Sequence, residues 1–512
     1  MDLFTLIGVV SVLYLMLLFF DSIFKSCMHH PYDSFLRNTG LSIKFFRLEW
    51  KTTVFNRLII KWRYVCPRIL SKSFDIGVYV TLIILPTVTF LLFLSVFYTP
   101  EKNTVLGDNL KLQVVLPFVT LPIDEVPYYI FALIVCSVTH ELGHAIAAVS
   151  FKFPLQNFDF YVFLFTQALE DVPTRAFGIH LIFFLPIAFT EVDYEYMSAL
   201  RIWKRLKVLC AGIWHNILVG LLCYLILASV PQLASSFYNI NDSVIVTSIK
   251  PRSPVSAGTK GLHVHDIITH INDCKVKNIR TWYNCLQEAI QYQPTYCLST
   301  DFVRANDESV LVSHNNQIID CCDPNNKKAI CFEHILEKFD DDTELPQYMC
   351  LDIRNTIEYS DGYCNKKHRC KSGQCFKPVM DNSTTIMQVQ RWYQTDMIYV
   401  GHSNDFSRNV KVSEFVPKTT FLSPHVADCI SLMLKYLIVF SFGLASINAL
   451  PCYGFDGQHL VHALLHNFKN PRYPNDKHRK DMIALGVNTF GTILLFILVT
   501  KALWMSLLSH LW

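Results

Sequence analysis

The sequence predicts a polytopic α-helical membrane protein of about six spans plus re-entrant segments, with a lumenal, PDZ-like, cysteine-rich α+β insert. Three observations predict this class. Hydrophobic residues make up 51% of the 512, mean hydropathy is +0.28, and charged residues are 17%, below the roughly 25% of soluble chains. The apolar residues gather in runs near the roughly 20 residues that a helix needs to cross a bilayer. One long polar stretch interrupts those runs and holds ten of the 17 cysteines.

The first run, Leu3 to Phe20, has only Asp2 as a charge before it and no A-x-A-like site after it. It reads as a retained anchor, not a cleaved signal. Residues 21–73 carry ten Lys or Arg against Asp21, Asp33 and Glu49, so the positive-inside rule makes this loop cytosolic. A second span runs from about Ile76 to Phe97, kinked at Pro86. Thr99 to Asp124 is a loop, with Val114–Val119 as a short strand. A helix then runs from about Tyr128 to Phe151. Residues 152–190 are aromatic and β-prone at 158–165, then polar at 170–175. Phe177 to Phe189 is too short for a span; a re-entrant hairpin or a buried connection fits it. Arg201, Lys204, Arg205 and Lys207 precede the next run, Val208 to Val230, and put its start in the cytosol.

Residues 231–427 follow on the opposite side. Cys274, Cys285, Cys297, Cys321, Cys322, Cys331, Cys350, Cys364, Cys370 and Cys375 lie here. Their even number and density point to disulfides in an oxidising lumen. The sequons at Asn241 and Asn382 agree with that side. Val244–Val246 and Ile267–Ile271 alternate with Pro and Gly turns. Asp266-Ile267-Ile268 followed by Ile271-Asn272-Asp273 resembles a PDZ-type strand pair, with a helix starting at Trp282. Such a domain can take a peptide along a sheet edge; a plain spacer fits as well. A span over Cys429 to Leu450 is broken by Pro451, Gly454 and Gly457. The last runs from about Leu485 to Leu508, after a basic cytosolic loop. The net charge of +3 does not suggest a nucleic-acid surface.

The chemistry centres on Val138-Thr139-His140-Glu141-Leu142-Gly143-His144. In this H-E-x-x-H pattern His140 and His144 share one helix face, one turn apart, and both can reach one Zn²⁺. Glu141 is placed to take a proton from a water at that metal. Ionisable groups at bilayer depth are costly and need a partner or a task. Catalytic zinc usually has three protein ligands. Asp456 is the best third, acidic and in a glycine-flanked break beside a span; a helix N-cap is the other reading of it. Glu191 and Asp193 are weaker rivals. His215 is a possible ligand, but with Asn216 it reads more readily as polar helix glue or a substrate-orienting pair. The domains are therefore 1–73, anchor and basic loop; 74–230, membrane core with H-E-x-x-H; 231–427, insert; and 428–512, membrane core with the Asp-Gly segment.

H-E-L-G-H, the Ala211–Asn216 segment, the cysteine-rich PDZ-like insert and the Asn448–Gly457 segment stand in an order that resembles the animal site-2 proteases, which are intramembrane zinc metalloproteases. The resemblance covers most of the chain. It implies His140, His144 and Asp456 as ligands of a single Zn²⁺, Glu141 as catalytic glutamate, and Asn216 as the substrate-positioning asparagine of a Gly-x-x-x-Asn segment. Phe455 stands where many relatives have leucine or proline. The resemblance further implies substrates: membrane-anchored transcription factors already cut once in the lumen, resembling sterol regulatory element-binding protein and activating transcription factor 6. Cleavage would release a cytosolic fragment for sterol and ER-stress signalling, and the implied compartment is the Golgi. Two non-protease readings stand beside this one: a membrane receptor or chaperone that uses the insert, and a transporter with a His/Glu/Asp relay.

Overall fold

The structure is a computed structural model. It describes residues 3–27, 29–55, 67–97, 125–149, 174–183, 185–192, 197, 199–256, 260–310, 313–315, 318–323, 325–326, 328–335, 345–364, 370, 373–381, 384–402, 404–419, 421–467 and 477–511. The expected strand at 114–119 and the aromatic segment 158–165 lie outside these residues. The chain divides into two units, 1–228 with 432–512, and 229–431.

The first unit is built on helices. They are α1 (Leu3–Cys27), α2 (His29–Thr39), α3 (Pro67–Phe97), α4 (Val126–Val149) and α5 (Ile202–Ala234). Six helices among the described residues are long and apolar enough to cross a membrane: α1, α3, α4, α5 and two later ones described below. The protein is thus a multi-pass membrane protein. α3 continues through Pro86 as helix, since a helix in lipid can tolerate one missing donor when neighbours supply partners. Phe74 and Val78 of α3 pack with Ala145, Ala147 and Ala148 of α4 and with Leu209, Ala211, Ile213 and Trp214 of α5. The alanines let the backbones approach closely, which is how helices associate without a hydrophobic drive from lipid.

Of the two readings of Phe177–Phe189, a hairpin or a plain connection, the structure has the hairpin. It is a β-hairpin, β3 (Thr174–Ile182) and β4 (Leu185–Val192), continuing a hairpin from the basic loop, β1 (Leu41–Lys44) and β2 (Arg47–Thr52). All four pair antiparallel in the order β1-β2-β3-β4. Strands leave a row of backbone donors and acceptors that must find partners, and the two hairpins supply them to each other through β2 and β3. Phe46 and Phe183 occupy the two turns with positive φ (52° and 57°) and stack at 4.8 Å. Tyr14 of α1 donates to Leu181 O at 2.8 Å. Glu49 is buried in β2 beside Lys44 and Lys51, 2.7 and 3.2 Å away. Burial alone would raise this carboxyl, but the two ammonium groups hold it down at about 2.

The second unit is α+β. Strands β5 (Tyr238–Asn239), β6 (Val244–Ile249), β7 (Ile267–Ile271), β8 (Cys274–Lys275) and β9 (Tyr296–Leu298) come first. β10 (Ser313–Asn315), β11 (Ile318–Asp320), β12 (Ala329–His334), β13 (Tyr348–Asp352) and β14 (Gln374–Pro378) follow. β15 (Thr384–Arg391), β16 (Met397–His402), β17 (Val410–Ser413) and β18 (Val416–Pro417) end it. One sheet runs β16-β15-β7-β6-β17, with β8 on β7, and another runs β13-β12-β14-β9.

The expected strand pair is revised here. Ile267–Ile271 is one strand, Asn272 turns with φ 51°, and the partner strand is Cys274–Lys275. β7 has β15 along one side and β6 and β8 along the other, so it offers no free edge. Helix α6 (Ile279–Gln291) starts three residues before Trp282, because Asn278 and Thr281 form a reciprocal capping box. Short helices α7 (Thr300–Asn306), α8 (Ile353–Glu358) and α9 (Asp405–Asn409) complete this unit.

The ten cysteines pair as disulfides: 274–285, 297–370, 321–331, 322–350 and 364–375. Each closes a loop that the unfolded chain would otherwise explore. Arg391 donates to Asp266 at 2.9 Å and to the carbonyls of Gly261 and Thr395, with both charged side chains 3% exposed. Asp266→Ala is expected to destabilise the unit by about 3–5 kcal/mol, since it strands a buried guanidinium. Thermal unfolding of the purified chain checks this; an unshifted midpoint would count against the pair as a stabilising element.

The chain returns to the first unit through α10 (Pro424–Ala449), α11 (Asp456–Asn467) and α12 (Lys477–Leu511). α10 and α12 are the remaining two membrane-length helices.

Candidate metal centre

His140 and His144 lie on α4, in the apolar setting that the motif's flanks dictate. Both are buried. The third group arrives from the break after α10. Leu450 and Cys452 close a tight turn there through Leu450 N to Ile447 O and Cys452 N to Leu450 O. Gly454 takes φ +89°, a conformation that disfavours side chains. Gly457 sits against Leu450 O, where a Cβ would collide. The turn therefore delivers Asp456 as the first residue of α11. Asp456 is the first residue inside the helix rather than its N-cap, and its carboxylate faces the histidines.

Asp456 Oδ2 is 3.0 Å from His140 Nε2 and 3.1 Å from His144 Nε2, and the two Nε2 atoms are 3.2 Å apart. Tetrahedral zinc with bonds of about 2.0 Å has ligand–ligand edges of about 3.3 Å. These three donors therefore fit such an ion, and two imidazoles with a carboxylate are a suitable donor set. A helix N-terminus also favours the carboxylate's negative charge.

The surroundings fix the donors. His144 Nδ1 lies 2.8 Å from Val208 O of α5. A carbonyl can only accept, so Nδ1 carries the proton and Nε2 keeps its lone pair. Asn216, fully buried, sits 3.4 Å from His140 Nδ1 and 3.2 Å from Thr139 Oγ1. Amide oxygen and nitrogen exchange places by a flip. With the oxygen towards His140, Nδ1–H donates to it and Nε2 is free for a metal. Asn216→Leu is accordingly expected to weaken zinc retention about 10–100-fold. Chelator competition reads this; unchanged retention would separate Asn216 from the metal ligands.

Gly212 explains how α5 comes so close. A Cβ there would lie 2.5 Å from His144 Nε2 and 2.7 Å from His140 Nε2. The missing side chain is the space that the donors enclose. Gly143 of α4 answers it, since a Cβ there would lie 2.6 Å from Ala211 O. The sequence marks both glycines by their motifs but not by a role at the metal. Their signal is Gly143 inside H-E-L-G-H and Gly212 four residues before Asn216.

Glu141 is partly buried, and its carboxylate interacts electrostatically with His140, His144 and Asp456. β4 holds its backbone, because Thr190 Oγ1 donates to Glu141 O at 3.2 Å. One turn earlier, Ala188 N donates to Ser137 Oγ. β4 thus runs beside the motif helix, paired on its other side with β3.

The rival ligands stand elsewhere. His215 Nδ1 bonds Ala211 O at 3.0 Å, and its ring lies 5.6 Å from that of Phe74. Glu191 pairs with Lys51 at 3.3 Å. Asp193 lies outside the described residues.

Comparison with known proteins agrees with this centre. Residues 128–497 match Peptidase_M50, peptidase family M50. The chain is also 21% identical over 400 residues to the "Membrane-bound transcription factor site-2 protease homolog" of Arabidopsis thaliana, covering 69% of this chain and 72% of that one. The match spans the H-E-x-x-H helix and the Asp456 turn, with His140, His144 and Asp456 as a candidate metal group, and the chain belongs to peptidase family M50, the zinc metallopeptidases.

Proposed function

We propose that this chain is an intramembrane zinc endopeptidase of the site-2 kind. It cuts a membrane-anchored transcription factor within its transmembrane helix, after a first lumenal cut, and frees the cytosolic fragment. The observation that carries this reading is the convergence of His140, His144 and Asp456 beside Glu141, on a helix of membrane-crossing length.

His140 Nε2, His144 Nε2 and Asp456 Oδ2 would hold one zinc ion. Bound zinc supplies Lewis acidity towards a carbonyl and a water. Glu141 takes the proton of the attacking water and passes it to the leaving amide nitrogen. Asn216 helps position the substrate. A peptide bond inside a helix is shielded by its own hydrogen bonds, so the substrate must unwind first. β4 favours that step. It is an edge strand among the described residues, lies along α4, and can pair with an extended segment.

The basic flanks assign residues 21–73 and 201–207 to the cytosol. The five disulfides support an insert on the oxidising, lumenal side, and the resemblance implies the Golgi as the compartment. The substrates are of the kind implied by resemblance: precursors like sterol regulatory element-binding protein and activating transcription factor 6.

The test is a membrane-anchored reporter presented with and without its lumenal domain. Cleavage is expected only after that domain is removed, with the new end inside the bilayer segment. Equal cleavage of both forms would remove the requirement for a first cut.

One observation favours a second, binding role for the insert. A cavity of about 860 Å³ lies against α6, with Asp273, Glu288, Tyr292, His334, Tyr363 and Lys377 in its wall. It is large enough for a few peptide residues. If this were the whole function, loss of the zinc ligands would leave biological output intact.

A further inference from the structure

α11 has Asp456 in its first turn and repeats histidines four residues apart farther along, at His462 and His466. Such spacing puts both rings on one face. Asp481 of α12 meets them. Its Oδ1 lies 3.2 Å from His462 Nε2 and 2.8 Å from His466 Nε2. The rings stack with centroids 4.3 Å apart. One donor atom from each residue lies within 4.8 Å of the others, close enough for one ion to reach all three.

We propose that His462, His466 and Asp481 form a second divalent-cation site, separate from the catalytic centre, that joins α11 to α12. Two imidazoles and one carboxylate suit zinc or a similar transition ion; calcium and magnesium prefer oxygen alone. The observed spacings approach the edges of about 3.3 Å expected around tetrahedral zinc. His462 Nδ1 is buried without a hydrogen-bond partner among the described residues, so Nε2, the nitrogen that faces Asp481, is the one placed to bind an ion.

The two sites differ in access. The side chains of His140, His144 and Asp456 are 6%, 11% and 21% exposed, whereas those of His462, His466 and Asp481 are 38%, 23% and 44%. The second group is therefore less enclosed by protein, which leaves room for a fourth ligand. Occupancy would tie down the far part of the helix that begins at Asp456. The proposal does not depend on the protease reading.

The test is a Co²⁺ titration of the purified, metal-stripped full chain, followed by absorption and elemental analysis. Wild type is expected to bind two equivalents. His466→Asn and Asp481→Asn, on different helices, should each lose one and keep the equivalent that His140→Ala removes. That retained equivalent also reports that the variants fold. A single wild-type equivalent, lost in His140→Ala, would overturn the second site and leave the catalytic reading standing. A single equivalent lost in Asp481→Asn and retained in His140→Ala would support the second site and overturn the catalytic one. A second equivalent unchanged in both His466→Asn and Asp481→Asn would also refute the proposal.

Discussion

Glu141→Gln is expected to keep its zinc and lose cleavage of a membrane-anchored reporter by at least about 10²–10⁴-fold, the usual share of a general acid–base group. Gln has the same shape as Glu and cannot accept the proton. The three donors lie on His140, His144 and Asp456, whose mutual spacing does not use the Glu141 carboxylate. Thr190 Oγ1 donates to the Glu141 backbone carbonyl and also bonds its carboxylate, and the Gln amide oxygen can still accept that second contact. Metal content and activity should therefore separate. Wild-type cleavage by this variant would sink the assigned role of Glu141, while joint loss of zinc and activity would recast it as a structural residue of the centre.

Gly212→Ala is expected to cost both zinc and activity, although it adds only one methyl group to an apolar helix. Elsewhere in such a helix this change is favourable or neutral, because Ala forms helix better than Gly. Here the methyl would stand 2.5 Å from His144 Nε2 and 2.7 Å from His140 Nε2. Ligand displacements of this size move donors off the roughly 2.0 Å that zinc requires. α5 could instead retreat, but Ala211, Ile213 and Trp214 are buried beside it and resist that. Zinc retention should fall together with cleavage. Gly486→Ala on α12, where a Cβ meets nothing within 4 Å, serves as the control. Full zinc occupancy in Gly212→Ala would show that α5 does not press on the ligands.

The helices that cross a bilayer were legible because burial in lipid leaves a compositional mark along the chain. α4 spans Val126–Val149 where the sequence predicts about Tyr128 to Phe151, and α10 and α12 likewise fall where expected. Lys204, Arg205 and Lys207 lie in the first turns of α5 itself, and Lys207 is buried against Asp75 at 2.6 Å. The hairpins at 41–52 and 174–192 were not legible as one sheet. Each is short, and neither can announce a partner more than a hundred residues away. Disulfide formation was readable from cysteine density, but the five pairings were not, because they depend on which strands meet.

The sequence alone determined the chemistry available to this protein: two histidines and a glutamate on one turn of an apolar helix, and an aspartate in a broken one. Helical periodicity and hydrophobicity are local properties, so the chain records them residue by residue. Only the tertiary structure decided which groups meet. It brought Asp456 across 316 positions to His140, set Asn216 and Val208 O on the far ring nitrogens, and pressed Gly212 into the gap between the donors. Those contacts depend on how close two backbones can come, and that distance is fixed by packing between helices rather than by any pattern along one of them.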